Sequence, residues 1–335
     1  MPSKITAVLC LVPLIGTTIA WKSEGHLIVS RIAYEKLQKE NPQALAKATN
    51  LLQYATQKNP SLNSAEGDYP FVESSTFADT IKFRGGAWQS DWHFVDTPFL
   101  DQGDDISQYP DFKFNPENIT TAIQGIASWI NQDSDYQNNF VYQTMMPKME
   151  NDEKYGQSYA LRLLIHYLGD IHQPLHCLSR VDQQYPVGDR GGNMFPVPNH
   201  YEAKNLHSVW DSVVYEFHVN DKLVSISQQI IFQPYTSETW DKIGSSVQTL
   251  MSNNAIKPSE YKNFDVFNWA QDTFEQGNPA YTGVTENEKV PDAYVSKEQP
   301  VAERQLVLGG YRLAYLIETL FGSSRVAEEA SLFLY

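Results

Sequence analysis

Side chains that can bind a metal ion are concentrated in one short part of the chain. Of the eight histidines, three lie between His166 and His176, a stretch that also contains Asp170. His166 and Asp170 are four residues apart, so they share one face of a helix. An imidazole nitrogen and a carboxylate oxygen at this spacing form half of a zinc site. His176 follows Pro174, where the chain can turn back toward the same region.

Other residues of the same chemical type occur outside this stretch. His207 and Asp211 repeat the four-residue spacing, and Asp79, His93 and His26 add further ligand types. Nitrogen and oxygen ligands without a thiolate are typical of hydrolytic zinc centres rather than structural zinc fingers. Any one pair, taken alone, is more simply read as an exposed helix pair or a helix cap. Taken together, the residues favour a metal site.

The bulk composition limits how the protein can meet a phosphate-bearing substrate. The chain has 335 residues, 41% of them hydrophobic, which suits one large domain or two small ones. Its net charge is −15, which argues against a broad basic face of the kind that coats duplex nucleic acid. If the protein acts on phosphate, bound cations must therefore reverse the local field.

The first 20 residues have the pattern of an export signal. Lys4 precedes an apolar run from Ile5 to Ile15, and small residues end at Ala20. A membrane anchor is the alternative, but the run is shorter than the roughly 20 apolar residues that span a bilayer. Cleavage after Ala20 makes Trp21 the new N-terminus. We therefore predict a signal peptide over residues 1–20 and one domain over residues 21–335.

The two cysteines and one glycosylation sequon fit an exported protein that is stabilised by something other than a disulfide. Cys10 leaves with the signal peptide and Cys177 remains, so no disulfide can form within the mature chain. A secreted domain without disulfides needs another cross-link, and metal ions can supply it. The triplet that begins at Asn118 is an N-glycosylation sequon and predicts a glycoprotein.

Helical periodicity dominates the rest of the sequence, and strand-like alternation is sparse. The predicted fold is all-α: a single domain with long loops and at most a short β-hairpin near Gly191–Val197. The predicted helices are Glu24–Leu37, Thr120–Ile130, Tyr159–Gly169, Asn205–Phe217, Ser237–Met251 and Val301–Phe321.

Several motifs, taken in order, resemble one family of enzymes. They are Trp21 to His26, Phe77 to Lys82, Trp92 to Pro98, His166 to His176, Gly191 to Asn193, Asn205 to Asp211 and Gly309 to Ala314. The order and content are similar to the class I zinc nucleases of the phospholipase C/nuclease superfamily. That family includes fungal single-strand-specific nucleases and plant bifunctional nucleases. The resemblance covers essentially the whole mature chain.

The resemblance implies a cofactor of three Zn²⁺ ions held by nine residues. It assigns the first ion to Asp79, His93, His166 and Asp170. It assigns the second to His176, His207 and Asp211. It assigns the third to the α-amine and carbonyl oxygen of Trp21, to His26 and to the bridging Asp170. Signal removal would then complete the third site, because an amide nitrogen is a poor ligand.

The same resemblance implies the reaction and its substrates. The enzyme would cut single-stranded DNA and RNA internally to 5′-phosphorylated products and would also hydrolyse 3′-nucleotides. Asp79 and Asp170 would act through the metal ions, and Lys82 would place positive charge beside the phosphate. Phe94 would stack on an unpaired base while Asp96 and Asn193 bind its edge. No membrane span and no obligate protein partner are expected.

Alternatives stay open for several of these assignments. Phe94 can be a core residue, Asp96 a turn cap, Lys82 a solvated lysine and Trp21 an apolar anchor. For the whole protein, the alternatives are a zinc-dependent phospholipase C and a non-catalytic secreted zinc-binding module. His172 is expected to make a supporting hydrogen bond rather than bind metal, and His200 and His218 to be surface or packing residues. Localisation is expected to be extracellular or in a secretory or lysosome-like lumen.

Overall fold

The structure is a computed structural model that describes residues 21–61, 63–100, 103, 105–217 and 236–322. The predicted signal peptide, Cys10 and His218 lie outside these residues. In the described part of the chain, no helix is both long enough and apolar enough to cross a membrane.

Helices make up most of the described chain, which confirms the predicted mainly α fold. The longer ones begin or end at caps, for example the Asp152 side chain that accepts the Tyr155 N–H at the start of α7. In chain order they are α1 (Ser23–Glu40), α2 (Pro42–Lys58), α3 (Pro70–Glu73), α4 (Phe77–Ile81), α5 (Ile119–Asn131), α6 (Phe140–Met145), α7 (Glu153–Asp170), α8 (Leu206–Asp211), α9 (Ser237–Asn253), α10 (Pro258–Tyr261), α11 (Val266–Gly277) and α12 (Asp292–Phe321).

Helix α7 lies at the centre of the packing. Helices α1, α2, α5 and α12 all contact it, and α1 runs along α12. Residues of α7 from Leu161 to Asp170 are buried without interruption, so this part of the helix is covered on every side. A single hydrophobic core joins these helices. The polar residues at the C-terminal end of α7 are therefore enclosed by the core.

Strands are few and short. Strand β1 (Pro98–Phe99) pairs in parallel with β2 (Ser179–Arg180), and β3 (Pro196–His200) pairs antiparallel with β4 (Ala203–Asn205). The hairpin was expected near Gly191–Val197, and its strands instead begin at Pro196. Residues 190–192 have positive φ angles, which bend this segment into a turn rather than a strand.

The boundaries of helices α8 and α12 differ from the expectation. The helix predicted over Asn205–Phe217 ends at Asp211, because three consecutive residues from Val213 have positive φ. Helix α12 begins at Asp292, nine residues before the predicted start, and carries Pro300 inside it. Helices α2 and α11 were not predicted.

Candidate metal centre

Helix α7 and helix α1 supply the first group of potential ligands. His166 Nε2 lies 3.2 Å from Asp170 Oδ2, as their spacing predicted. His26 Nε2 lies 3.2 Å from Asp170 Oδ1, and the His26 ring stacks on His166 with centroids 3.8 Å apart. All three side chains are buried. Their donor atoms lie within 4.8 Å of one another, which is close enough to share one ion.

A second group adjoins the first through His166. Asp79, in α4, places its carboxylate 3.7 Å from His166 Nε2 and 3.9 Å from His93 Nδ1. His93 ends a 3₁₀ segment, Ala87–His93, and its Nδ1 lies 2.7 Å from Asp170 Oδ2. Asp170 thus contacts both groups, which suits a carboxylate that bridges two ions.

The third group is built from α8 and the turn after α7. His207 Nε2 lies 3.5 Å from Asp211 Oδ1, and His176 Nε2 lies 4.0 Å from the same oxygen. The two imidazole rings stack with centroids 4.9 Å apart. Gln173 donates to Asp211 Oδ1 at 2.7 Å and accepts from the Leu175 N–H, which fixes this carboxylate.

Backbone carbonyls orient three of the histidines. The Nδ1 atoms of His166, His176 and His207 donate to the carbonyl oxygens of Ser75, His93 and Gly191 respectively. A carbonyl only accepts, so each Nδ1 carries the proton, and each ring in its neutral form presents the Nε2 lone pair to the group. This is the tautomer that a metal ligand needs, fixed by a hydrogen bond on the far side of the ring.

Six buried side-chain atoms of the candidate ligands have no hydrogen-bond partner. They are both nitrogens of His26, the Nε2 atoms of His166, His176 and His207, and Asp170 Oδ1. An unsatisfied buried polar atom is costly, and these six all belong to residues of the three His/Asp groups. Nitrogen and carboxylate oxygen donors fit a divalent zinc ion. Cys177 takes no part, because its Sγ donates to the Ile171 carbonyl.

The protonation states also suit cation binding. Lys82 and the histidines His166 and His93 hold the pKa of Asp79 at about 2 despite its burial. Burial lowers the pKa of His93 to about 4 and that of His207 to about 4. These imidazoles are therefore neutral near pH 7 and available as ligands. Burial raises the pKa of Asp211 well above its usual range, a cost that a bound cation would remove.

Two glycines let the backbone approach the site closely. A Cβ on Gly169 would lie 2.5 Å from His26 Nδ1, so α7 can contact α1 here only without a side chain. A Cβ on Gly191, whose φ is +58°, would lie 1.9 Å from the Leu175 carbonyl oxygen. Gly191 therefore combines a left-handed conformation with a contact that excludes other residues.

Trp21 lies beside the centre, although its predicted role as a ligand is untested. Its indole is fully buried, and Nε1 donates to the Gly169 carbonyl at 2.8 Å. The next residue, Lys22, donates its backbone N–H to the Asp211 carbonyl at 2.8 Å. The start of the described chain is thereby fixed between two of the groups, next to both Asp170 and Asp211.

The residues predicted to contact substrate lie at the edge of the centre. Lys82 Nζ lies 3.0 Å from Asp79 Oδ1. The Phe94 ring, which is partly exposed, lies 4.4 Å from the His176 ring and 6.2 Å from the His207 ring. Phe94 therefore lines the side of the centre that His176 and His207 form, and it is not a core residue.

Asp96 and Asn193, the other two residues predicted to bind a base, both lie in loops. Asp96 is exposed as a whole residue, but protein atoms surround its carboxyl group and partly exclude water from it. This dehydration, together with the charges of Asp189 and Asp91, raises the pKa of Asp96 to about 6. Asn193 donates its Nδ2 to the Arg190 carbonyl, and its Oδ1 accepts a long hydrogen bond of 3.5 Å from Asn205 Nδ2. Contact of either side chain with a base remains a prediction.

The remaining histidines behave as expected from the sequence. His172 is buried and makes supporting hydrogen bonds, to the Leu168 carbonyl through Nδ1 and from Arg312 through Nε2. His200 is exposed, and its ring lies tilted against that of its neighbour Tyr201, with centroids 3.9 Å apart.

Sequence reasoning missed four residues that hold the ligands in place. Gln89 and Tyr167 meet behind His93, Gln173 fixes Asp211, and Asp189 accepts from Gly192 and Arg180 backbone N–H groups to hold the glycine loop. Gln173 lies inside the His-rich motif from His166 to His176, and this position could have indicated its supporting role. Gln89 and Tyr167 have no sequence signature, because they meet across 78 residues. Asp189 has local partners, but no pattern in the sequence marks it as their acceptor.

Comparison with known proteins agrees with this centre. A model of the S1/P1 nuclease family matches residues 21–322. Endonuclease 4 of Arabidopsis thaliana is 29% identical over 323 residues, which cover 94% of each chain. Nuclease P1 of Penicillium citrinum is 24% identical over 317 residues, which cover 90% of this chain and 98% of that one. Nuclease S1 of Aspergillus oryzae is 24% identical over 257 residues, or 73% and 77% of the two chains.

The family match extends over all the elements that supply the candidate ligands, from α1 to α8. It favours nuclease chemistry over the phospholipase and non-catalytic alternatives. Buried, cation-ready His/Asp groups and family membership therefore lead to one conclusion: this chain belongs to the S1/P1 nuclease family and is an enzyme that hydrolyses the phosphodiester bonds of nucleic acid.

Proposed function

We propose that this enzyme uses three zinc ions to cut single-stranded DNA and RNA internally, releasing 5′-phosphorylated products, and that it also hydrolyses 3′-nucleotides. The observation that carries the proposal is the set of three adjoining His/Asp groups. Their buried, unpartnered ring nitrogens and carboxylate oxygen have no better partner than a cation.

Each group would hold one ion. Asp79, His93, His166 and Asp170 would bind the first, and His176, His207 and Asp211 the second. Asp170 and His26 would bind the third together with the amine and carbonyl of Trp21. The third assignment requires removal of residues 1–20, which frees that amine. The position of Trp21, fixed against Gly169 and next to Asp211, supports this assignment.

Zinc supplies Lewis acidity at such a centre, which acidifies water and neutralises charge on phosphate oxygens. The protein supplies the rest of the chemistry. Lys82 adds a fixed positive charge beside Asp79, where the phosphate would lie. The ionised Asp79 and Asp170 hold the cations and keep the neutral imidazoles oriented. No serine or cysteine nucleophile is needed, and buried Cys177 is unavailable for one.

Phe94, Asp96 and Asn193 would select an unpaired base. A partly exposed aromatic ring offers a stacking surface, and every base has a face to stack on it. A base inside a duplex is already stacked and paired, so it must be splayed out before it can reach Phe94. Single-strand preference and tolerance of base identity follow from the same contact.

The N-terminal pattern supports export to the cell exterior or to a secretory or lysosome-like lumen. Residues 1–20 would act as the signal peptide and residues 21–335 as the catalytic domain. N-terminal sequencing of the natural protein tests both points, since the proposal requires Trp21 to be the first residue. An extra residue before Trp21 in fully active, three-zinc enzyme would contradict the role of the amine.

The decisive experiment combines metal analysis with four substrates. Mature protein is expected to contain three zinc ions per chain and to cut single-stranded DNA, RNA and 3′-AMP much faster than duplex DNA. A chelator is expected to abolish all these activities and zinc to restore them. Activity that persists without metal would overturn the proposal. Release of diacylglycerol from phosphatidylcholine, with denatured DNA left intact, would favour the phospholipase alternative.

A further inference from the structure

Gln89 occupies a buried position behind His93 and contacts three groups at once. It lies one helical turn before His93 in the same 3₁₀ segment and is fully buried. Its Nε2 lies 3.0 Å from the Ala78 carbonyl oxygen. Its Oε1 lies 2.7 Å from His93 Nε2 and 2.5 Å from the Tyr167 hydroxyl.

These contacts determine which way the amide points. The Ala78 carbonyl can only accept a hydrogen bond, so the NH₂ group of Gln89 must face it. Oε1 therefore faces His93 and Tyr167. The Tyr167 hydroxyl donates to this oxygen.

The orientation of Gln89 in turn determines the protonation of His93. Because Oε1 is an acceptor, His93 Nε2 must carry the proton. A neutral His93 then presents the Nδ1 lone pair to Asp170 Oδ2 at 2.7 Å and to Asp79 Oδ1 at 3.9 Å. A lone pair facing carboxylate oxygens at this distance is repulsive unless a cation lies among them.

His93 thus differs from the other three oriented imidazoles. His166, His176 and His207 donate through Nδ1 to backbone carbonyls and present Nε2. His93 presents Nδ1, and a side chain rather than the backbone holds its far nitrogen. A single side-chain substitution can therefore release the His93 ring from its orientation, whereas the backbone carbonyls that hold the other three rings cannot be removed in this way.

We propose that Gln89, supported by Tyr167, is a positioning residue that fixes the Nε2-protonated tautomer of His93 and directs its Nδ1 toward the metal centre. The inference rests on the proposed function, since it concerns a ligand of the proposed first zinc. In this proposal the Gln89–Tyr167 pair orients the ring of His93, as backbone carbonyls orient the rings of His166, His176 and His207.

The first test is metal affinity. Gln89→Met keeps the length of the side chain and removes the acceptor, and we expect it to bind one zinc about 10- to 100-fold more weakly in chelator competition. Because Gln89 touches no substrate, kcat should fall while KM for single-stranded DNA stays within about twofold. Gln53→Met, at an exposed site on α2, is the matched control and should change neither quantity. Wild-type zinc affinity and kcat in Gln89→Met would overturn the inference.

The second test does not depend on a core substitution. In long-range ¹H–¹⁵N spectra of zinc-loaded wild-type protein, His93 should show a protonated Nε2 and a metal-shifted Nδ1. The reverse pattern would overturn the inference even if Gln89→Met fails to fold. Tyr167→Phe keeps the Gln89–His93 hydrogen bond, so it should weaken zinc binding less than Gln89→Met does. A larger loss in Tyr167→Phe would contradict the assignment of Gln89 as the direct partner of His93 and Tyr167 as its support.

The outcomes separate this inference from the proposed function. If wild-type mature protein binds no zinc, the proposed function fails. If it binds three zinc ions but His93 binds through Nε2, the proposed function stands and only the role of Gln89 fails.

Discussion

At the scale of single residues, Asp170 is the side chain on which the centre depends most. Its two oxygens contact His26, His93 and His166, which come from three separate segments of the chain. It is buried, and the facing histidines hold its pKa well below the usual range against the effect of burial. A carboxylate so placed is ionised near neutral pH and can serve two ions at once.

Replacement of Asp170 tests this dependence. Asp170→Asn keeps the size but removes the charge, so we expect loss of zinc from the two groups it contacts and a fall in kcat of more than about 100-fold. Zinc content by elemental analysis and hydrolysis of single-stranded DNA measure both effects. His200→Asn, at an exposed histidine outside the groups, should retain full metal and activity. Full zinc content in Asp170→Asn would show that the centre is wrongly assigned.

Gly169 makes a second prediction at this scale. A methyl group there would lie 2.5 Å from His26 Nδ1, so Gly169→Ala must push His26 away or part α1 from α7. We expect a loss of about 1–3 kcal/mol in the free energy of unfolding, together with weaker zinc binding. Gly244→Ala is the control, since its added methyl meets only the end of the Arg31 side chain. Unchanged zinc affinity in Gly169→Ala would contradict the close contact.

At the scale of elements, helix α5 links a capping residue to the substrate wall. Asn118 caps α5 by accepting from the Thr120 and Thr121 N–H groups. The next residue, Ile119, donates its N–H to the Phe94 carbonyl at 2.9 Å. The start of this helix therefore holds the backbone of the residue proposed to stack on a base.

Substitution of Asn118 tests the link. Asn118→Ala should cost about 0.5–2 kcal/mol of stability and should raise KM, because the cap and the adjoining Phe94 backbone loosen. Asn118→Asp keeps the capping oxygen but loses the donation to the Asn115 carbonyl, so it should lie between the wild type and Asn118→Ala in both measurements. Equal KM values for the wild type and Asn118→Ala would argue against the link.

The same geometry bears on the predicted glycan. Asn118 is only 4% exposed, and its Nδ2 donates to the Asn115 carbonyl. A sugar on that nitrogen has no room in this conformation. We therefore expect intact-mass measurement of exported protein to find Asn118 unmodified, in contrast to the expectation from the sequon alone. A glycan at Asn118 on active enzyme would show that α5 begins differently.

At the scale of the whole molecule, burying several neutral histidines makes folding sensitive to acid. Burial lowers the pKa of His93 and His207 to about 4, and burial with Arg312 lowers that of His172 to about 3. In the unfolded chain these imidazoles bind protons below about pH 6.5. Between pH 6.5 and 4 the unfolded chain therefore binds more protons than the folded protein, and stability falls as the pH falls.

Denaturation of metal-free protein at several pH values measures this effect. Each such histidine should remove about 1.4 kcal/mol per pH unit within that window. His166 opposes the trend, because Asp170 and Asp79 overcome its burial and raise its pKa. Burial also lowers the pKa values of His26 and His176, so five histidines favour loss of stability in acid. The raised pKa values of Asp211 and Asp96 act with His166 in the opposite direction. Because the five histidines outnumber these three groups, we expect a net loss of stability from pH 7 to pH 5. Equal or greater stability at pH 5 would contradict the buried, neutral state of these side chains.

Local pattern was sufficient for much of this protein. Apolar residues at helical spacing predicted α1, α5, α7, α9 and the C-terminal half of α12, because a buried helix face leaves a period in the sequence. The same reasoning placed His166 with Asp170 and His207 with Asp211, since residues four apart on a helix are neighbours. The acidic composition indicated that cations must mediate any contact with phosphate.

Other features depend on contacts between distant segments, and only the tertiary structure decided them. Residues 26, 93 and 166 converge because three elements pack together, and no local rule brings them to one point. The support of the Gln89 amide by Tyr167 and the carbonyls behind His166 and His176 likewise depend on partners remote in sequence. A sequence determines which atoms can bind a metal, whereas packing determines which of them lie a few ångströms apart with their lone pairs facing inward.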